Sequence, residues 1–378
     1  SHFRYLNSAD MAVTGGYMHL LNGTFYLVCG QYFEGRYNPM GPNHGPGFTQ
    51  QYTESIRTFD VTDDGNTLTI SNYTETVDAA NLHRRDYNMV PQIFPNGDYG
   101  FTVFSGVFQP TVDLSWHNTV DVEASGYTVN NSFDQLLSQY HSAHLPIYDQ
   151  TSNEMHTLFF GGMARYYYDQ NGTLIDDENV PFVKTISLVT RDENGAMTEQ
   201  NLNLQMSAFL GSGAEFLPAS NVSFTNGEIL DLNALTQGQP TLVGYIYGGI
   251  ESSEENIFFI NDGTQSWASN RLLKVYIEPN ASTAIETRRI TGDDVFSLQV
   301  FPNPSEGEST ACLSSKYLTN GTLEVFNATG QLVRSFVVDT VHKDHQHFDL
   351  KLSGMESGTY HVRFSNKVFS TGKTLVVQ

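Results

Sequence analysis

Short runs of apolar residues, broken every few positions by glycine, asparagine or aspartate, make up most of residues 1–280. Within many of these runs apolar and polar residues alternate, which is the two-residue period of a strand with one buried face. The helical period of 3.6 residues is nearly absent, and its best candidate, residues 132–138, is short. The pattern therefore predicts an all-β fold for this part of the chain.

One pattern recurs four times in this region. An aromatic or apolar run closes on glycine, and a shorter strand with one polar residue among apolar ones precedes it. The four runs are residues 25–30, 99–106, 158–162 and 242–249, and the strands before them are residues 17–20, 87–90, 143–146 and 214–217. Further strands follow, for example at residues 56–61, 67–72 and 272–277.

Turn signals lie between these strands, at residues 22–23, 64–66 and 96–98. Asparagine and aspartate tolerate left-handed backbone conformations and glycine adopts them easily, so these turns suit tight hairpins. Four-stranded meanders repeated around an axis form a β-propeller, in which radial repetition covers most sheet edges. The repeat predicts a propeller of four blades with insertions, or of five to seven blades; a pair of β-sandwiches is the alternative.

The distribution of charge divides the chain near residue 280. Residues 1–280 hold 10 basic and 31 acidic side chains, whereas residues 281–378 hold 9 and 10. We predict a propeller domain at residues 1–278, a linker at residues 279–294 and a second domain at residues 295–378. The sequence pattern of the second domain predicts about seven short strands, and its length is that of an immunoglobulin-like β-sandwich.

Three motifs and a final strand follow one another along the second domain. The first motif, residues 300–304, combines two prolines with a turn-forming asparagine. The second, residues 323–333, is a hairpin with a glycine in its turn, and the third, residues 352–364, precedes a last strand at residues 373–377. The residues that carry these motifs are Pro302, Asn303, Pro304, Gly330, Gly358, Tyr360 and Lys373.

In this order, the motifs resemble the C-terminal sorting domain of proteins that the type IX secretion system of Bacteroidota exports. The sequence departs from that family at Asn327, where aspartate is more common, and at Gln378, where a basic residue is more common. The resemblance implies that the motif residues form a sorting signal for the type IX translocon and its outer-membrane shuttle proteins. It also implies a secreted or cell-surface location in a Gram-negative bacterium.

The glycine-closed runs resemble the blades of kelch-type propellers, most clearly at residues 15–30 and 158–162. The spacing of the copies is irregular, and only Trp116 and Trp267 are available for the tryptophan of that pattern. A propeller of this kind has a funnel lined by the first strand of each blade. Polar residues on or beside these strands are candidates for binding a ligand there, or for hydrogen bonds between blades: His19, Arg84, Arg85, Asn88, His141, His144 and Glu215.

The net charge of −22 argues against nucleic acid or an anionic membrane as a partner, because both require a basic surface. Two cysteines, Cys29 and Cys312, are too few for a disulfide framework or a zinc site. No apolar stretch reaches the roughly 20 residues of a membrane-spanning helix.

Familiar catalytic motifs are missing from the sequence: the Gly-x-Ser-x-Gly elbow, His-Glu-x-x-His and phosphate-binding loops. No pair of glycosidase carboxylates stands out among the many acidic residues. Copper chemistry of the galactose oxidase kind needs a Tyr–Cys crosslink, whereas Cys29 lies in an apolar strand that indicates a buried thiol. We predict no catalytic residues and no cofactor. Acidic turns such as residues 176–178 are compatible with binding of a structural calcium ion.

Three functions remain compatible with the sequence. The leading hypothesis is a non-catalytic binding protein, exported by the type IX system, whose propeller binds a glycan or a protein. The second is a subunit that self-associates into an extracellular filament, sheath or surface layer through exposed strand edges. The third is a glycan-active enzyme, which two close carboxylates with one raised pKa would favour.

Overall fold

The computed structural model describes residues 3–35, 48–169, 172–258, 260, 262–279, 296–315, 319–341, 345–366 and 370–378. The chain divides into two compact units, Ser1–Tyr168 with Leu174–Glu286, and Asp169–Thr173 with Thr287–Gln378. Apart from Pro279, the predicted linker lies outside the described residues, so its boundaries stay a prediction.

The all-β prediction is confirmed for the residues that the structure describes. Helical structure in them is limited to two 3-10 turns, Ala9–Met11 and Leu232–Ala234. Within the described ranges, no helix has the length and apolar character needed to span a membrane. Residues 132–138, the best helical candidate in the sequence, form an irregular segment, in which the amides of Gln135 and Leu137 donate to His117 O and Glu199 Oε2.

The first two sheets of the larger unit are antiparallel and follow the predicted strand order. The first contains, in spatial order, β1 (Tyr17–Leu21), β2 (Thr24–Val28), β5 (Ser55–Asp63) and β6 (Leu68–Val77). A separate hairpin of β3 (Gln31–Gly35) and β4 (Phe48–Tyr52) lies between β2 and β5 in the chain. The second sheet contains β7 (Asn88–Ile93), β8 (Tyr99–Phe104), β9 (Thr119–Glu123) and β10 (Gly126–Asn130).

The third and fourth sheets repeat this plan with additions. The third contains β11 (Ala143–Asp149), β12 (Glu154–Phe160), β15 (Thr185–Arg191) and β16 (Met197–Gln205), and β13 (Tyr166–Tyr168) and β14 (Leu174–Asp176) form a separate hairpin. The fourth contains β17 (Phe209–Pro218), β20 (Thr241–Ser252), β21 (Ser266–Ala268) and β22 (Leu272–Ile277). Two short strands from the β17–β20 connection extend the third sheet, β18 (Phe224–Thr225) and β19 (Ile229–Asp231), the latter parallel to β11.

Three apolar clusters join the four sheets in succession. One packs Val28 and Ile56 of the first sheet against Phe101 of the second. Another packs Phe104 of the second sheet against Phe159 of the third. The third cluster contains the facing residues of the third and fourth sheets: Leu145, Leu158, Leu188, Leu210, Ala214, Val243 and Ile246. Each sheet is therefore buried against the next one in sequence.

The smaller unit consists of two antiparallel sheets around one apolar core. The first contains β23 (Phe296–Phe301), β24 (Thr310–Ser315) and β27 (Gln346–Asp349). The second contains, in spatial order, β26 (Leu332–Val341), β25 (Thr319–Asn327), β28 (Gly358–Ser365) and β29 (Ser370–Val377). The core residues come from both sheets and include Phe296, Leu298, Leu313, Leu323, Val325, Val362, Phe364 and Leu375.

Candidate functional site

The first strand of each of the four main sheets in the larger unit carries one of the predicted binding residues. His19 lies on β1, Asn88 on β7, His144 on β11 and Glu215 on β17. Strand β11 contacts both β7 and β17, so the leading strands of three sheets are neighbours. His141 precedes β11 and adopts a left-handed backbone conformation with φ of 49°.

Three histidines come together around β11. The pKa of His144 is lowered to about 4, chiefly by burial and to a smaller extent by His19 and His141, against the opposing effect of a hydrogen bond to Ser142 O. The Nδ1 atom of His144 lies 3.0 Å from that carbonyl oxygen. Because a carbonyl only accepts, Nδ1 carries the proton and Nε2 is left as an acceptor. His144 is therefore an uncharged imidazole at neutral pH.

His19 connects the first sheet to two other parts of the larger unit. Its ring centroid lies 4.5 Å from that of Phe101 on β8. Its Nε2 atom lies 3.5 Å from Oε1 of Glu228, and the hydroxyl of Tyr99 donates to Oε2 of the same carboxylate at 2.6 Å. The Glu228 carboxylate thus lies next to both His19 and Tyr99.

Acidic side chains accompany the histidines. Burial raises the pKa of Tyr17 on β1, and the carboxylates of Glu215 and Asp86 raise it further, which places both within electrostatic range of the Tyr17 phenol. The hydroxyl of Tyr87 donates to Val28 O and also accepts from the Tyr17 amide. Six side chains from this region form what we call the central cluster: Tyr17, His19, Asp86, His141, His144 and Glu215.

Arg84 and Asn88, two further predicted binding residues, lie fully buried and use their polar groups inside the fold. Nη1 of Arg84 donates to Ser105 O at 3.0 Å, and its guanidinium lies 4.4 Å from the Trp116 ring. The Asn88 amide donates to Gln139 O at 2.8 Å and accepts from the Ser142 amide at 2.9 Å. Asn88 therefore holds the segment that carries His141, whereas Arg84 holds the connection after β8.

Arg85 lies beside aromatic residues that the sequence analysis did not single out. Its Nε atom donates to the Tyr52 hydroxyl at 3.1 Å, and its guanidinium lies 4.9 Å from the Phe108 ring. The Tyr52 ring stacks on His83 at 3.8 Å between centroids. No sequence signal identified Tyr52 or Phe108, because they reach Arg85 from the distant strand β4 and from the connection after β8.

Within the described residues, no group of three or more histidine, cysteine, aspartate or glutamate side chains is arranged to hold a metal ion. Cys29 is buried, and burial raises the pKa of its thiol to about 12. It is therefore protonated at neutral pH.

In the smaller unit, Asn303 joins the first sorting motif to the last strand. Its Nδ2 atom donates to Thr374 O at 2.7 Å, and its Oδ1 atom accepts from the Val376 amide at 2.9 Å. The Ser305 amide then donates to Val376 O at 2.8 Å. Two motifs that are about seventy residues apart in sequence thus form one structural feature.

The other sorting-motif residues occupy turns and strands of the same unit. Gly330 adopts a φ of 82° in the β25–β26 turn, and its amide donates to Asn327 O at 2.9 Å. The buried Tyr360 donates its hydroxyl to Glu356 O at 2.9 Å. Gly358 begins β28, Lys373 lies on β29, Pro302 accepts from the Ser309 hydroxyl through its carbonyl, and Pro304 follows Asn303.

Residues 299–378 match the family model of the secretion system C-terminal sorting domain. The match spans the three motifs and the final strand, and it indicates export by the type IX secretion system to the cell surface or the extracellular space in Bacteroidota. The predicted location is therefore confirmed. The match leaves the larger unit outside the family model.

Comparison with solved structures found matches of low sequence identity. A fungal alcohol oxidase of the AA5 family, in complex with copper, is 10% identical with a TM-score of 0.25, over 94% of this chain and 83% of that one. PorZ of Porphyromonas gingivalis, a surface component of the type IX system, is 10% identical with a TM-score of 0.19, over 97% of this chain and 59% of that one. Dimeric latent PorU of the same organism is 13% identical with a TM-score of 0.20, over 94% of this chain and 31% of that one.

The chain spans less than two thirds of the length of PorZ and of PorU. A comparison with curated proteins found no significant match.

Proposed function

We propose that this chain is a non-catalytic binding protein of the bacterial surface, in which a kelch-like propeller binds a glycan or a protein and an immunoglobulin-like sorting domain directs export. Packing of the four sheets in sequence order supports the propeller. The charge of Glu215 on the fourth sheet acts on the Tyr17 phenol of the first sheet. This also supports the propeller, because radial closure brings the first and last blades together. The sorting domain would engage the translocon and its shuttle proteins.

The central cluster is the observation that carries the proposed binding role. It gathers polar side chains from the leading strands β1, β11 and β17 and from Asp86, which precedes β7. The neutral imidazole of His144, the phenol of Tyr17 and the side chains of Glu215 and Asp86 offer both donors and acceptors. Such a set recognises the hydroxyl and amide groups of a glycan or a peptide by hydrogen bonds.

The test is a binding measurement with the full chain. A glycan array and an overlay on separated outer-membrane proteins of a Bacteroidota strain would identify ligands, and calorimetry would give their affinity. The double variant His141→Ala/Glu215→Ala is expected to weaken binding about tenfold or more, because each lost hydrogen bond to a charged or polar partner costs about 1 kcal/mol. Glu193→Ala, in the exposed turn before β16, is the matched control.

Two results would overturn the proposal. One is the absence of saturable binding to any glycan or outer-membrane protein. The other is that the chain cleaves a glycan identified on the array, with the released sugar detected by chromatography, since this would make the chain a glycan-active enzyme.

One observation favours self-assembly as a second candidate function. Strand β6 forms an edge of the first sheet over ten residues, and eight of them are exposed. Long exposed edges pair readily with other strands. Light scattering and electron microscopy of the full chain test this: a regular assembly that Tyr73→Lys disperses would support it, and a monomer at all concentrations would contradict it.

A further inference from the structure

The fourth sheet has one face against the third sheet and one face open to solvent. Ile246 on β20 pairs with Leu273 on β22, and both pack in the apolar cluster that joins the third and fourth sheets. Side chains alternate between the two faces of a strand, so the residues next to these two point away from that cluster. We call this second face the open face, and it contains Glu215, Leu217, Tyr245, Tyr247, Leu272, Lys274 and Tyr276.

The open face is apolar over much of its surface. Four of its apolar side chains are 46–57% exposed: Leu217, Tyr247, Leu272 and Tyr276. Side chains of this size show roughly 200 Å² when free, so these four together expose about 400 Å². A standard dimer interface buries about 800 Å² per partner, of which roughly 450 Å² is apolar. The open face therefore supplies about the apolar area that a stable dimer needs.

The two charged residues of the open face have opposite sign. Glu215 and Lys274 are both exposed, and neither forms an ion pair or a hydrogen bond with another residue in the described ranges. Residues 1–280 hold 10 basic and 31 acidic side chains, so two copies repel each other over most of their surface. The open face carries no net charge, and two copies can therefore approach each other there.

Strand register places the two charges symmetrically about a pair of tyrosines. Glu215 lies opposite Tyr247 on the neighbouring strand, and Lys274 lies opposite Tyr245. The midpoint between the charges therefore falls on β20, between the tyrosines. A two-fold axis above this midpoint, parallel to the sheet and at right angles to the line that joins the charges, brings each Glu215 to the partner's Lys274. Packed sheets lie about 10 Å apart, a gap that a glutamate and a lysine side chain span together.

We infer that the open face is a dimer interface, which packs against the same face of a second copy around this axis. Tyr245 and Tyr247 of both copies form its centre, and two ion pairs between Glu215 and Lys274 close its sides. An aromatic centre with a charged rim is the usual arrangement of a protein interface. The dimer is closed by its symmetry, so it differs from an open-ended assembly through the β6 edge. Because Glu215 also belongs to the central cluster, the second copy lies beside that cluster.

The test measures the mass of the full chain by light scattering and analytical ultracentrifugation over a series of concentrations. The expected result is a reversible equilibrium between the chain of 42.1 kDa and a species of twice that mass. Tyr247→Ala removes an aromatic ring from the centre in both copies, and it is expected to weaken the dimer about a hundredfold.

Charge variants test the symmetry of the interface. Glu215→Lys and Lys274→Glu each place like charges together at two contacts, so each alone is expected to weaken the dimer about tenfold. Glu215→Lys also reduces the net negative charge, which by itself favours association, so a weaker dimer reports on the contact. The double variant Glu215→Lys/Lys274→Glu restores opposite charges and is expected to recover the wild-type affinity. Glu193→Lys, the same change in the exposed turn before β16, is the control and should leave the dimer unchanged.

Three outcomes would overturn the inference. One is a monomer at every concentration, whether or not the open face binds a glycan. Another is a dimer that Tyr73→Lys on β6 disperses and Tyr247→Ala does not, since such a dimer forms through the sheet edge. The third is a double charge variant that is no more dimeric than the single variants. Thermal unfolding of each variant shows that a lost dimer does not come from a lost fold, and ligand affinity at the central cluster is a separate readout.

Discussion

Replacing Glu199 by glutamine is expected to stabilise the larger unit at pH 8 and to change its stability little at pH 4.5. Glu199 lies on β16, and its Oε2 atom accepts from the Leu137 amide at 3.1 Å. Its Oε1 atom is buried with no hydrogen-bond partner among the described residues. Burial raises the pKa of Glu199 from 4.5 to about 7, against the opposing effect of the Leu137 and Leu136 amides.

The sign and size of the effect follow from proton binding. Because the pKa is higher in the folded chain, the folded state binds the proton more tightly, and the free energy of unfolding falls as pH rises from about 4.5 to about 7. Each pKa unit corresponds to about 1.36 kcal/mol, so the full loss is about 3 kcal/mol above pH 7. Glutamine carries no charge and keeps an acceptor oxygen for Leu137. We therefore expect the variant to be about 2–3 kcal/mol more stable at pH 8.

At pH 4.5 the wild-type chain and the variant are expected to have similar free energies of unfolding, because a protonated carboxyl and an amide both place a donor where Oε1 of Glu199 has no partner among the described residues. Urea unfolding at several pH values, followed by the fluorescence of Trp116 and Trp267, measures the difference. Histidines titrate in both chains and cancel in that difference. Glu193→Gln, in the exposed turn before β16, is the control and should match the wild type at every pH.

The reasoning would be refuted by a difference below about 0.5 kcal/mol at pH 8, the range of an ordinary surface substitution. A difference of equal size at pH 5 and pH 8 would also refute it, since a pH-independent gain cannot come from the charge of Glu199.

Three further predictions concern stability. Asp121→Ala leaves the buried Arg191 without the carboxylate that lies 2.7 Å away, so urea unfolding should show a loss of about 3–5 kcal/mol, and a loss below about 1 kcal/mol would contradict this. Gly161→Ala should lower the melting temperature, with a cost of about 2 kcal/mol or more, because Gly161 has a φ of 65° and an added Cβ would meet Leu210 O at 1.9 Å; an unchanged melting temperature would count against the fold described. Asn303→Ala removes two hydrogen bonds to β29 and should cost the smaller unit about 1–2 kcal/mol, with faster amide exchange at the end of β29 as the readout; unchanged exchange would show that the asparagine does not hold this strand.

Many strands and turns of the larger unit can be predicted from local sequence patterns. The predicted strands at residues 17–20 and 143–146 lie within β1 and β11, and the turn at residues 22–23 joins β1 to β2. These features depend on alternation and on turn residues, and both are properties of a few consecutive positions. The same holds for the sorting motifs, which could be recognised without knowing that Asn303 bonds to the last strand.

Other features depend on contacts between distant segments. Strand β19 pairs in parallel with β11, so the connection between β17 and β20 extends the third sheet and not the fourth. Residues 132–138 form no helix, because their amides find partners on β16 and at His117. Arg84 was predicted as a ligand-binding candidate, yet the carbonyls of Ser105 and Asn118 surround it in the interior. Secondary-structure propensities describe neighbouring residues only, so they cannot predict these distant partners.

Local sequence patterns are enough to show that the chain is rich in short strands, where its turns lie, and that it carries a type IX sorting tail. Each of these is encoded in adjacent residues or in an ordered set of short motifs. Which polar side chains meet depends on the packing of distant strands, because β1, β11 and β17, which supply most of the central cluster, lie more than sixty residues apart in sequence. Burial then sets their chemistry, because it makes His144 neutral and encloses Arg84.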